Sequence, residues 1–365
     1  MTVFSRRPTL RWLVPLVAAA LLIAGGSAIG AITAAARGGL PHRTAAQLLV
    51  DVQKARLDGL SGTVVQNADL GLPSLPSVGG SGSADMSSLV TGSHTLRLWY
   101  AGPAHVRLAL LGSLGESDLI RNGTDLWTWS SSTKSASHHT VPAPTGNEPQ
   151  SLASASPVTP QQAADAALKA IAPSTKVSTA GTAVVAGRSA YELLLQPRDA
   201  RSLIGSVRIA IDGRTHVPTR VQVFAKGAAS NPAFEVGFTS FDPTSPALSV
   251  FRFNPPPGTK VTRSPGLGHL GSAGSRPALP SQSGAPTVVG TGWTSVAVTS
   301  VPARAAAGAP GVLGELLQRL PKVSGSWGSG HLLQGTLFSA LLTNDGRLAV
   351  GAVSPRMLYS AVAAR

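Results

Sequence analysis

Between residues 189 and 261 the chain repeats one pattern. Short apolar runs alternate with residues that turn the backbone, and the series ends in Phe251-Arg252-Phe253-Asn254-Pro255-Pro256-Pro257-Gly258. Residues 191–195, 206–211, 217–225, 234–240 and 249–253 are expected to form successive antiparallel strands. Val207, Ile209 and Ile211 recur at every second position, as do Val221 and Val223 between Arg220 and Gln222, so each run sorts its side chains onto two faces of a sheet. Asp212-Gly213 supplies a turn between two of the runs. The triple proline has no backbone N–H to offer a ladder and is expected to mark where the sheet stops. This stretch builds a sheet and carries no catalytic group.

The rest of the composition agrees with short strands and many turns, with 40 Gly and 28 Pro in 365 residues. There is no cysteine, which excludes disulfides, thiol catalysis, cysteine-ligated metals and a lipid-modified N-terminal cysteine. The net charge of +14 reflects scarce acid, 30 Lys and Arg against 16 Asp and Glu. Most of the basic residues stand singly, as scattered solvated charges do. Attraction to an anionic membrane surface fits this better than nucleic acid, which calls for basic clusters interleaved with aromatics, and only 5% of residues are aromatic.

Arg6, Arg7 and Arg11 precede residues 12–36, a run of 25 without a charged side chain. As a helix it is long enough to cross about 30 Å of hydrocarbon, with residues 1–11 left in the cytoplasm. The expectation is a retained transmembrane anchor, single-pass in the cell membrane with the C-terminal bulk extracytoplasmic. The alternative is a signal peptide cleaved near residues 34–36, giving a secreted protein. Thr44 and Gln47 form a capping box that opens a helix, with Leu48, Leu49, Val52 and Ala55 on one face and Gly59 placed to close it. After a strand at 61–69, residues 70–93 are a Gly-, Ser- and Pro-rich loop. Strands are expected at 95–100, 105–111, 117–121, 126–130 and 138–141, with Gly102-Pro103 and Asn122-Gly123 at turns between them. Thr159-Pro160-Gln161-Gln162 opens a second helix that presents Ala163, Ala164, Ala167, Leu168 and Ile171 on one side and stops at Pro173. Residues 262–287 read as a flexible linker. A small C-terminal unit follows at 288–365: a strand at 288–301, a helix at 312–320, strands at 332–343 and 347–353 around Asn344-Asp345-Gly346, and a closing helix at 355–363.

Three blocks in order resemble one family. Gly115-Glu116-Ser117-Asp118-Leu119-Ile120-Arg121-Asn122-Gly123-Thr124-Asp125-Leu126-Trp127-Thr128-Trp129 is similar to the strand, turn and Leu-Trp strand of the LolA-like lipoprotein carriers. Residues 191–197 followed by Ile209-Ala210-Ile211-Asp212 resemble that family's later paired strands. Phe251-Arg252-Phe253-Asn254-Pro255-Pro256-Pro257-Gly258-Thr259-Lys260-Val261 resembles its closing Phe-x-Phe-x-Pro-Pro strand. The likeness covers residues 44–261. It implies an α+β domain, a strongly curved half-open antiparallel β-sheet (an incomplete barrel) wrapped around helices, with an apolar cavity for a lipid or the acyl chain of a lipoprotein. The RseB and MucB regulators, which bind an anti-sigma factor in the membrane and carry a smaller C-terminal domain, share the architecture, as do mycobacterial lipid-binding lipoproteins. Carriers of the family tend to have Arg-Pro after the second strand, where this chain has Gly102-Pro103.

A cavity of this kind would be lined by apolar residues at alternate strand positions. The candidates are Leu96, Leu98, Tyr100, Val106, Leu108, Leu110, Trp127, Trp129, Leu193, Leu195, Val207, Ile209, Val221, Val223, Val236 and Phe238. Each is equally at home in ordinary core against the two helices. An acyl chain gains about 0.8 kcal/mol per buried methylene and needs no polar contact, so such a site leaves little signature. His138-His139 point to opposite faces of a strand and read as an exposed pair at a loop edge rather than a metal site. Glu116 and Asp118 share a face and read as solvated. No Gly-x-Ser-x-Gly elbow, His-Glu-x-x-His or phosphate-cradling loop occurs. The chain reads as a non-enzymatic binding protein without a metal or cofactor. The rival reading is a regulator whose C-terminal unit binds a membrane protein, and a hydrolase is a distant third.

Overall fold

The computed structural model describes residues 40–72, 92–113, 115–143, 171–228, 230–265, 287–301, 317 and 319–363. Twelve strands make one unclosed sheet: β1 (Leu60–Ala68), β2 (Gly92–Tyr100), β3 (His105–Gly112), β4 (Gly115–Asn122), β5 (Asp125–Ser130), β6 (Ser135–Thr140), β7 (Thr175–Val185), β8 (Arg188–Pro197), β9 (Ile204–Asp212), β10 (Pro218–Ala225), β11 (Phe234–Asp242) and β12 (Lys260–Pro265). Their order is β12-β6-β5-β4-β3-β2-β1-β11-β10-β9-β8-β7. β1 lies at the centre, pairing β2 on one side and β11 on the other. It separates an N-terminal wing (β2–β6) from a C-terminal wing (β7–β11). Each wing is a meander whose neighbours in sequence are neighbours in space, as tight turns demand. The sheet is strongly curved. Cα atoms of β7 come within 8 Å of β11, whereas four spacings of flat sheet would hold them about 19 Å apart.

Alternation divides the sheet into two faces. On one, helix α1 (Ala45–Lys54) docks through Leu48, which is fully buried against Tyr191, Leu193 and Ile211, with Leu49 and Val52 beside it. We call this the helix face. The capping box forms as read, with the Gln47 N–H donating to Thr44 Oγ1 at 3.2 Å and the Thr44 N–H to Gln47 Oε1 at 2.9 Å. The helix stops at Lys54, five residues before Gly59, because Ala55 leaves helical geometry with ψ of 129°.

The sequence mislocates the end of the large sheet. Residues 249–253 are not a strand: Leu248–Phe251 form a short 3-10 helix and Phe253 lies beyond it. The triple proline interrupts the sheet without ending it. The chain resumes as β12, which pairs with the far edge strand β6 in parallel, Lys260 opposite Ser135. A connection crossing the six strands between β11 and β12 must span the sheet's surface, and three prolines supply a stiff extended crossing. Residues 243–259 therefore form a strap over the face opposite α1, here called the strap face.

A second sheet of six strands follows, in the order β13-β14-β18-β17-β16-β15: β13 (Thr287–Val289), β14 (Val296–Ser300), β15 (Lys322–Gly325), β16 (Gly328–Gln334), β17 (Ser339–Thr343) and β18 (Arg347–Gly351). The expected strand at 288–301 is two strands broken by a 3-10 turn at Gly292–Thr294, and that at 332–343 is a hairpin turning after Gln334. Asp345-Gly346 turns the next hairpin with Gly346 at φ 87°, a backbone state that favours glycine. Helix α2 (Pro355–Ala363) covers one face through Leu358, Ala361 and Val362. The two sheets touch: the Leu203 N–H donates to Ala352 O, the Thr336 N–H to Leu70 O, and Leu337 joins the core of the large sheet. Among the described residues no helix is long and apolar enough to cross a membrane. The expected anchor at 12–36 and nearly all of the helix at 160–171 lie outside the described residues.

Candidate functional site

Ladder register decides which candidates share a face, because residues directly opposite on antiparallel strands point the same way. Leu96 faces Leu110, Leu98 faces Leu108 and Tyr100 faces Val106. Val64 of β1 joins Leu96 to Phe238, and Gln66 of β1 lies opposite Val236. Val221 continues the row to Ile209 and Leu193, and Val223 to Val207 and Leu195. Fourteen of the sixteen candidates thus form one apolar surface, the helix face. Trp127 and Trp129 do not belong to it. They pair with Ile120 and Asp118 and point to the strap face, where Phe253 packs on both at ring distances of 5.3 and 6.2 Å. The helix-face positions of these strands are Leu119, opposite Leu108, and Leu126, opposite Arg121. Sequence reasoning passed over both. The two tryptophans outweigh their neighbours in hydrophobicity, and the strap that covers them comes from more than 100 residues away.

The wings cover this surface differently. In the C-terminal wing Leu193, Val207, Val221, Val236 and Phe238 are buried, sealed by α1 and by Leu337. Leu195, Ile209 and Val223 are half-buried. In the N-terminal wing Leu96 and Leu110 are buried, while Leu98, Tyr100, Val106, Leu108, Leu119 and Leu126 all remain half-buried. Arg121 stands at the end of this surface, donating to Gly123 O and Pro142 O. Arg97 and Arg107 lie on the strap face, since they oppose Ala109 and Ile120.

Beneath the strap is a polar cluster. Arg107 bonds Asp118 at 2.5 Å, approaches Glu116 at 4.0 Å and Val250 O at 3.3 Å, and lies over Trp99 at 5.4 Å. Asp118 is 2% exposed, so the solvated reading of Glu116 and Asp118 is overturned for Asp118. Desolvation raises its carboxyl to about 6 against the pull of Arg107, with Glu116 adding to the rise. His138 stacks on Trp127 at 4.3 Å and bonds Asp125 at 2.7 Å, and His139 is buried on the other face. The pair does point to opposite faces, but it is built into β6 and is not an exposed loop edge.

On the same face of the C-terminal wing, Asp212 is bound bidentately by Arg188 at 2.6 and 2.8 Å and receives the Thr215 N–H and hydroxyl. Burial pushes this carboxyl up, but these donors more than offset it and hold it at about 2. Where the two sheets meet, a cleft of about 590 Å³ is lined by Asp199, Arg201, Trp293, Thr294 and Met357 among others. Among the described residues no three His, Asp or Glu side chains group closely enough to hold a metal ion.

No family model and no curated protein matches this sequence. Solved structures similar to the chain include the Pseudomonas aeruginosa MucA/MucB complex, at 15% identity over 87% of this chain and 96% of that chain with a TM-score of 0.45. An uncharacterized conserved protein from Thermus thermophilus is 11% identical over 60% and 98%, with a TM-score of 0.34. A LolA superfamily protein from Nitrosomonas europaea is 12% identical over 58% and 99%, with a TM-score of 0.20. At such identities and TM-scores these likenesses say nothing about a ligand or a partner.

Proposed function

We propose that this protein is an extracytoplasmic binding protein that holds a lipid, or the acyl chain of a lipoprotein, against the helix face of its N-terminal wing. The observation that carries the reading is the ladder Leu98–Leu108 and Tyr100–Val106, extended by Leu119 and running on from the buried pair Leu96–Leu110; it is continuous and half-buried rather than sealed. An acyl chain laid there removes apolar area from water on both partners, at about 0.8 kcal/mol per methylene. No hydrogen-bond donor is required of the protein, and apart from Tyr100 the side chains of that ladder are aliphatic. The blocks shared with the LolA-like carriers point the same way. The membrane would hold the protein through residues 12–36, with 44–261 and the rest of β12 to Pro265 as the binding domain, the residues from there to 287 as the linker and 288–365 as the smaller unit.

A regulator's role, in which the chain also binds a membrane protein, is favoured by the cleft between the sheets, with Arg201 and Trp293 in its wall. One preparation tests both. The full chain is purified, and bound lipid is extracted and identified by mass spectrometry. The binding reading expects a co-purifying lipid that is lost in Leu108→Lys while the unfolding transition persists. A chain that is empty and takes up neither added lipid nor acylated peptide would overturn it. A membrane protein that co-purifies and is lost in Arg201→Glu with lipid retained would assign the regulator's role.

A further inference from the structure

Exposed apolar and unpaired basic side chains coincide on the strap and on β12. Three large apolar residues are exposed among the described residues, and two of them, Leu248 at 57% and Val261 at 39%, lie here. Arg252 is exposed because its neighbours Phe251 and Phe253 turn inward. In β12, Val261 and Arg263 stand opposite Ala136 and His138, which places them on the strap face, while Lys260 starts the strand opposite Ser135 with its N–H on Lys134 O at the turn between β5 and β6, at the rim of that face. Several arginines elsewhere in the fold are committed to carboxylates: Arg107 to Asp118, Arg188 to Asp212, Arg220 to Glu192 and Arg347 to Asp345. Arg252, Lys260, Arg263 and Lys134 have no carboxylate partner among the described residues, and residues 243–265 contain no Asp or Glu. Of the acids on the neighbouring strands, Asp118 is buried against Arg107, Glu116 lies within 4.0 Å of the same guanidinium, and Asp125 bonds His138.

We infer that the strap and β12 form a docking surface for an anionic lipid bilayer. Unpaired cations retain their full attraction for a negative surface, and apolar side chains standing among them gain by entering the interface. Aligned cations without acids would serve an acidic protein as well, but Leu248 and Val261 protrude from the strap and the edge strand instead of lining a groove, and protruding apolar groups suit a fluid surface. Docking on the strap face leaves the helix face of the N-terminal wing directed away from the bilayer, available to cargo.

The chain has no cysteine, so Leu248→Cys carries a single environment-sensitive fluorophore in the full-length protein, with Ala180→Cys on β7 as the comparison site. Each is mixed with vesicles of phosphatidylcholine, alone or with phosphatidylglycerol. The expected result is a blue shift at position 248 on the anionic vesicles only, silent at position 180 and abolished by high salt. It is also abolished in Lys134→Glu/Arg252→Glu/Arg263→Glu, a variant on exposed positions whose unfolding curve matches the parent. Neutralising one of these cations to Gln is expected to lower the docked-to-free ratio roughly five-fold. Equal responses on both vesicle types, an equal response at position 180, or a response that survives the triple reversal would overturn the inference. A polyglutamate peptide that reproduces the shift would overturn it in favour of an acidic protein partner.

Discussion

The two wings of the large sheet are both antiparallel meanders with the same alternation, yet they meet their surroundings in opposite ways. The C-terminal wing is amphipathic in the usual sense. Its helix face is sealed by α1 and Leu337, and its strap face carries ion pairs such as Arg220–Glu192 at 2.8 Å. The N-terminal wing is apolar and half-buried on the helix face, and on the other, Phe251 and Phe253 roof its tryptophans and the Arg107–Asp118 pair. One wing closes around parts of its own chain. The other keeps an apolar surface that its own described residues do not finish, and the proposed ligand belongs there.

Carboxylates on the strap face give the sharpest contrast. Asp212 sits low, so its stabilising contribution is complete above its unfolded value near 3.8 and is lost as pH falls through about 2. Asp118 sits high, so burial of its charge weighs against folding above about 6, and stability is gained as pH falls from 6 towards 3.8. Asp212→Asn breaks a buried bidentate pair and is expected to cost about 3–5 kcal/mol at neutral pH, with the loss fading at the acid end. Asp118→Asn should remove the rise in stability expected of the parent between pH 7 and 4. Urea unfolding across that range checks both, and an Asp118→Asn variant that keeps the parental pH slope would break the contrast.

A smaller effect separates the two halves of the helix face. Leu193→Ala, at 2% exposure, should cost about 2–5 kcal/mol. Leu108→Ala, half-buried in an equivalent ladder position, should cost about half as much. Equal losses by chemical denaturation would mean that the N-terminal wing is sealed core as well.

The strands were legible because period-2 alternation and turn residues are local signals. Val221 and Val223, Asn122-Gly123 and the Thr44–Gln47 box all behave as their sequences say. Face assignment was not legible in the N-terminal wing, where Leu119 alternates with Ile120 and Leu126 with Trp127, so either set reads as the buried one. The deciding contact is Phe253 on the tryptophans, a long-range event with no local trace. The strap itself was misread for the same reason. Phe251-Arg252-Phe253 has strand alternation, and the direction in which three prolines carry the chain depends on pairing with β6, 125 residues upstream. The charge on Asp118 was read as solvated because the partner that buries it, Arg107, is recognisable only once β3 lies beside β4.

The central claim is that lipid occupies the helix face of the N-terminal wing. Its most direct test is photocrosslinking of the full-length chain with a lipid that carries a diazirine along its acyl chain, followed by peptide mapping of the adducts. Adducts on Leu98, Tyr100, Val106, Leu108 or Leu119 are predicted, and competition by unlabelled lipid should remove them. Adducts confined to the cleft around Trp293 and Met357, or to the sealed residues of the C-terminal wing, would contradict the account.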